Sequence, residues 1–285
     1  MHSARELVIS VGPLTSLPDV YLHIRDELDA PAGSIATVAR LIGGDPALAA
    51  RLLHVVNSPF FGYGGQIDSI QRAVTILGLQ QVHDLVLAMS LGTMFAGIAP
   101  ASMDVTRFWQ GCVMCGLLAR QLGFGSGLPA AERLFLVGLL SDIGHLVMYQ
   151  TLPLPASEAA RAAEETSVPL AEAERRLIGC DFAEVGAALM DQWKLPRCFS
   201  RIIGAQLNPR LGGENTYEAA IVHVAAQVVR ADRHGESSEA AAARVDPVIW
   251  SLLDMDPASL GQIRQDAELS LAGYIALFFP SLAGR

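Results

Sequence analysis

The chain has 285 residues, 51% hydrophobic and 17% charged, a composition that can bury a sizeable core and argues against extended disorder. Its formal net charge is −9, and nineteen of its twenty basic residues are arginines, with Lys194 the exception. No basic run occurs, so the clustered positive face that nucleic-acid binding relies on is missing. The N-terminus "MHSARELVIS" lacks a basic start followed by a long apolar stretch, and runs such as "AIVHVAAQVV" fall short of a membrane span of about twenty residues. Four cysteines are too few for a disulfide scaffold in a chain of this size. A soluble cytoplasmic protein, with no membrane and no nucleic-acid partner, is the expectation.

In chain order, the pattern predicts helices over 17–29 and 34–42, then over "DPALAARLLHVVN" (45–57), where Asp45 is the N-cap, Pro46 the first helical residue and Leu48, Leu52, Val55 and Val56 one apolar stripe. "SIQRAVTILG" (69–78) starts at a Ser69 cap and stops at Gly78. Helices follow over 79–95, 104–122, 129–150 and 169–178, and "DFAEVGAALMDQW" (181–193) opens with a capping-box-like Asp181 and Glu184. Further helices are expected over 196–206, 216–232 and 259–279. Alternating strands with hairpin turns are missing, so the fold class is all-α. Three seams interrupt it: the proline-punctuated "TLPLPAS" (151–157), the loop-like "NPRLGGEN" (208–215), and "HGESSEAAAAR" (234–244), either a mobile link or a weak helix. No repeat of fixed period appears.

The stretches "DPALAARLLHVVNSPFFG" and "SIQRAVTILGLQQVHDLVLA", followed by "FWQGCVMCGLLARQLG", "LFLVGLLSDIGHLVMYQ" and "GCDFAEVGAALMDQWKLP", resemble the bacterial HDOD domain, a regulatory output domain related to the HD metal-dependent phosphohydrolases. The resemblance covers about residues 12–230. It implies an N-terminal helical bundle (12–104) packed on an HD-like core (105–230), followed by a C-terminal helical extension (231–285). It also implies where an active relative would hold its metal ligands. The first histidine falls at Gly111, the His-Asp doublet at Ser141 and Asp142, a further histidine at Phe182, paired histidines near Gln206 and Leu207, and the closing aspartate near Ala226. Only Asp142 survives as a ligand. A hydrolytic metal needs several protein donors and an open position for water, and one carboxylate cannot supply them. No catalytic residue, metal site or cofactor is therefore expected.

Asp142, buried within "GLLSDIGHL", is expected to be tethered by backbone N–H groups or by a hydroxyl on a neighbouring helix. A rearranged site built from Asp142, His145 and His223 is the competing reading, since His145 shares a helix face with Asp142. "CVMC" (112–115) reads as core packing, because a redox role would want a βαβ setting and zinc a second cysteine pair. In "NSPFFGYGGQ" (57–66), Asn57, Ser58, Phe60, Phe61 and Tyr63 either fill space between helical subdomains or form a partner-docking patch. The resulting expectation is a non-catalytic signalling module. Its protein partner would bind in trans, with a response regulator, histidine kinase or cyclic-dinucleotide enzyme as the implied classes. The alternatives are a nucleotide or cyclic-dinucleotide sensor that recruits Arg107, Arg120 and Arg201 to phosphates, and a residual phosphohydrolase.

Overall fold

The computed structural model describes residues 1–12, 17–30, 34–58, 61, 66–95, 98, 100, 102–128, 131–280 and 282, without the side chains of residues 29 and 93. Among them every regular element is helical. In order these are α1 (Ala4–Ser10), α2 (Asp19–Asp29), α3 (Ile35–Gly43), α4 (Pro46–Val56), α5 (Ile70–Leu77) and α6 (Leu79–Met94). Next come α7 (Val105–Gly125), α8 (Ala131–Leu140), α9 (Ile143–Thr151), α10 (Pro153–Thr166), α11 (Leu170–Leu177) and α12 (Phe182–Gln192). The chain finishes with α13 (Arg197–Ala205), α14 (Thr216–Arg233), α15 (Ser238–Ala243), α16 (Pro247–Leu253) and α17 (Leu260–Phe278). Two compact units result, one of Met1–Ser16 with Gly97–Leu271, the other of Leu17–Ala96 with Ala272–Arg285.

In the smaller unit the predicted caps form as the sequence dictates. The Asp45 carboxylate accepts from the backbone N–H of Ala47 and Leu48, and the Ser69 hydroxyl from that of Arg72. Gly78 takes φ +83°, which separates α5 from α6. The stripe read in α4 is buried at Leu48, Leu52, Val55 and Val56. On the same helix Arg51 reaches the main chain, donating through Nη2 to the Met89 carbonyl at 3.0 Å and the Phe278 carbonyl at 3.4 Å. The C-terminal segment is thereby tied to this unit.

The larger unit is organised by α7, whose buried residues run from Phe108 to Gly123, and by the almost wholly buried α8 and α9. Close approach between helices is set by glycine. A Cβ on Gly116 would lie 2.6 Å from the Phe135 carbonyl oxygen, and one on Gly138 2.7 Å from that of Cys115. A Cβ on Gly144 would land on the carbonyl oxygen of Phe182, which brings α9 hard against α12. α1, begun by a capping box between Ser3 and Glu6, packs on both α9 and α12.

Several expectations need correction. The helix read over 129–150 is two, because α8 stops at Leu140. The Ser141 backbone N–H bonds the Gly138 carbonyl at 3.2 Å in a tight turn, and its hydroxyl donates to the same oxygen at 2.7 Å, competing with the helical ladder. The seam at 151–157 is the start of α10, with Pro153 at a position where the missing N–H is no loss. Of the two readings of 234–244 the helical one holds, as the short α15 capped by Ser237, while α1 and α16 are additions to the expected helices. Residues 209–215 form a 3-10 turn. By length and composition the stretch Ala131–Thr151 reaches the threshold of a membrane span, contrary to the reading of the apolar runs. However, 78% of its most apolar window is buried inside the protein, as in a core helix.

The glycine contacts predict that Gly144→Ala destabilises the fold by about 1–3 kcal/mol or more, because backbone rather than a flexible side chain must move. Gly273→Ala, with nothing within 4 Å in mid-α17, should instead stabilise by about 0.5–1 kcal/mol. Urea denaturation of the two variants checks both signs.

Candidate functional site: a self-neutralised ionic chain

The Ser141-Asp142 doublet occupies the turn between α8 and α9. Breaking the helix there frees the Ser141 carbonyl, which Gln206 satisfies through Nε2 at 2.7 Å. It also aims the Asp142 carboxylate sideways. One oxygen, Oδ1, lies 3.0 Å from His145 Nδ1, and the other accepts from Arg233 Nη2 at 2.8 Å. The expected backbone or hydroxyl tether is therefore wrong, and both partners are side-chain cations.

His145 is held from its far side as well. Its Nε2 lies 3.0 Å from Glu174 Oε1 on α11, an ion-pair contact without hydrogen-bond alignment. Glu174 is buried and accepts the Phe182 backbone N–H at 3.0 Å through its second oxygen. The Phe182 ring stacks on the imidazole, with centroids 4.1 Å apart and planes at 16°. Ionised carboxylates only accept, so an imidazole with one on each nitrogen is favoured as the doubly protonated cation. Burial alone would lower the His145 pKa, but the charges of Asp142 and Glu174, with the hydrogen bond to Asp142, reverse this and push it up to about 10. For Asp142 burial favours the neutral acid. The charges of His145 and Arg233, with their hydrogen bonds, outweigh it and hold the carboxyl well below the usual carboxylate range. Along Glu174, His145, Asp142 and Arg233 the signs alternate and cancel.

This arrangement does not suit a catalytic metal. Asp142 and Glu174 face opposite nitrogens of one ring instead of converging on a common point, and no group of three or more His, Cys, Asp or Glu among the described residues could hold a cation. Gly111 offers no donor, and Phe182 is spent on the His145 ring. The Ser141 hydroxyl is bound to Gly138, and the Gln206 side-chain amide donates to Ser141. His223, the third candidate for a rearranged site, does not join. Its Nδ1 lies 2.7 Å from the Gln206 carbonyl, and burial lowers its pKa.

A scan against family models matches residues 14–209 to the HDOD domain. The chain belongs to the HDOD family. A Treponema pallidum (strain Nichols) protein of unknown function is 25% identical over 194 residues, a match spanning 68% of this chain and only 37% of that protein's length. Among solved structures, an HDOD domain protein of unknown function from Geobacter sulfurreducens superposes with TM-score 0.77 at 23% identity, covering 96% of this chain and 97% of that one. A provisionally named phosphohydrolase from Shewanella amazonensis SB2B gives TM-score 0.72 at 23% identity, covering 99% of both chains. A provisionally named signal transduction protein from Marinobacter aquaeolei VT8 gives 0.68 at 21% identity, covering 95% of this chain and 60% of that one. At these identities the likeness is one of fold.

Elsewhere on this HDOD chain, the remaining candidates are engaged locally. The Asn57 side chain donates to the Leu53 and Ile67 carbonyls and accepts the Ile67 N–H, all at 2.8 Å, and Ser58 donates to the Val55 carbonyl at 2.6 Å. Phe61 is half-buried, while Phe60 and Tyr63 lie outside the described residues. Arg120 grips Glu132 in a fork at 2.8 and 2.9 Å, Arg201 pairs with Glu214, and Arg107 donates to the Arg233 carbonyl at 2.9 Å. Cys112 and Cys115 are buried and free, and burial raises both thiols, Cys115 to about 12, so neither is a poised nucleophile. Sequence reasoning missed Glu174 and Arg233.

Because the folded pKa of His145 lies above its unfolded value of about 6.5, the imidazolium contributes its stability in full below that pH. The contribution fades as pH climbs toward about 10. Asp142 acts oppositely, contributing above about pH 4 and losing its effect on acidification. The stability gap between wild type and His145→Gln should be widest near pH 6 and narrow steadily into the alkaline range in urea titrations. A gap that widens with pH would mean that His145 is buried neutral.

Proposed function

We propose that this chain is a non-catalytic signal-transduction module of the bacterial cytoplasm, acting through contacts with a protein partner in trans. A response regulator, histidine kinase or cyclic-dinucleotide enzyme is the class of partner that its family suggests. The observation that carries the reading is chemical. Both carboxylates nearest the vestigial metal position are neutralised by the protein's own cations, and the other inherited positions hold groups that bind metals poorly or not at all. HDOD membership supports a signalling role, as does the fold shared with the Marinobacter aquaeolei protein named for signal transduction.

The phosphohydrolase reading draws on the names carried by two Shewanella amazonensis structures and on a rearranged site that His223 does not join, and the donors that remain are poorly suited to activating water. The sensor reading gains no converging phosphate site from its three arginines, since Arg107, Arg120 and Arg201 are bonded to three separate acceptors.

Turnover of cyclic dinucleotides and nucleoside phosphates, assayed with magnesium, manganese, iron and nickel, should not exceed that of Asp142→Ala. A rate at least tenfold above that variant, about 1.4 kcal/mol of transition-state stabilisation, would defeat the non-catalytic claim. Affinity capture from the native cell should recover a defined signalling protein, and deletion should alter the response that protein governs. Failure of both would defeat the contact claim.

A further inference from the structure

We propose that Arg233 supplies from within the chain the positive charge that a bound metal gives an HD phosphohydrolase, and that this built-in cation closes the site to divalent ions. Three contacts converge on the assignment. Arg233 Nη2 donates to Asp142 Oδ2 at 2.8 Å, so the one surviving inherited ligand has a guanidinium as its counter-ion. A Cβ added at Gly111, where the metal-binding pattern has its first histidine, would lie 3.0 Å from that same nitrogen and 3.4 Å from a Val229 methyl. A side chain at 111 would therefore crowd the guanidinium in this pose and require it to shift, whereas glycine leaves the arginine room. Arg107 then donates to the Arg233 carbonyl at 2.9 Å and fixes the backbone at the end of α14.

The guanidinium is well suited to this post. It keeps its charge at any physiological pH, and its planar fork can satisfy a carboxylate edge without the open coordination positions that make a metal reactive. A divalent cation approaching Asp142 would meet a fixed like charge. On the other side of His145, the stacked Phe182 ring takes up the space against the imidazole. Arg233 lies beyond the family-matched residues 14–209, so the replacement charge comes from outside the segment that defines the family.

The inference rests on the non-catalytic half of the reading above, but its test measures charge coupling and cation uptake. Hydrolysis would defeat that reading, whereas additivity defeats this one. In the full chain, Asp142→Asn and Arg233→Met should each lower Tm by about 3 °C or more. The double variant should melt no lower than the worse single, because either loss alone strands the opposite charge. Wild-type protein should leave the electron paramagnetic resonance signal of free manganese unchanged at stoichiometric metal. Additive losses in the double variant, or stoichiometric manganese uptake by wild type that Asp142→Asn abolishes, would overturn the assignment. If Arg233→Met does not fold, nitrogen-15 NMR of the arginine side chains decides on wild type. Separate, slowly exchanging Nη resonances for Arg233 that merge in Asp142→Asn are expected, and a freely rotating guanidinium in wild type would overturn it.

Discussion

A carboxylate drawn into a protein must find positive charge or give up its own. At the α8–α9 junction Asp142 takes the first course, and much of the neighbouring structure follows from it. His145, three residues on, lies within reach because the helix restarts at Ile143. An imidazolium so close to the core requires its own second counter-charge, which Glu174 provides from α11. Arg233 completes the cancellation from the end of α14. Four residues from three places in the sequence are thus bound by one requirement, that no charge drawn into the protein be left uncompensated.

The helices around this chain of charges pack closely through glycine. Gly116 and Gly138 let α7 and α8 touch through their backbones, and Gly144 does the same for α9 and α12. Such contacts depend on shape and are indifferent to whether a ligand sits beside them, so donors can be lost while the scaffold persists. Gly111, by contrast, faces side chains of α14 and not backbone. The space above it is taken by the Arg233 guanidinium and a Val229 methyl.

The parts of this fold legible in the sequence are those governed by local chemistry. The Asp45-Pro46 and Ser69 starts, the Gly78 stop and the Asp181–Glu184 capping box all act within four residues, and all form as read. Two similar signals went unread: Ser3 with Glu6 opens α1, and Asp246-Pro247 opens α16 in the manner of Asp45-Pro46. The break at Ser141 was hidden because an unbroken apolar period runs through it, and only the hydroxyl's bond back to Gly138 betrays the turn. At the site, the residue types at the positions implied by the resemblance are legible one by one. The counter-charge of Asp142 is not, since Arg233 lies 91 positions away and resembles an ordinary basic residue in the last turn of a helix. Glu174 was obscured for the same reason, being one acid in the charged run "AEAERR".

The clasp of Arg51 on the Phe278 carbonyl carries a consequence for biogenesis. The unit containing Arg51 is discontinuous, with about 175 residues of the other unit translated between its two pieces. At typical elongation rates the first piece waits roughly 10 to 35 s for its closing segment. During that interval the surface around Gly92, later covered by the Phe278–Phe279 backbone and side chain, is bare. The nascent polypeptide therefore carries a window of vulnerability to chaperones and proteases that the finished molecule does not show.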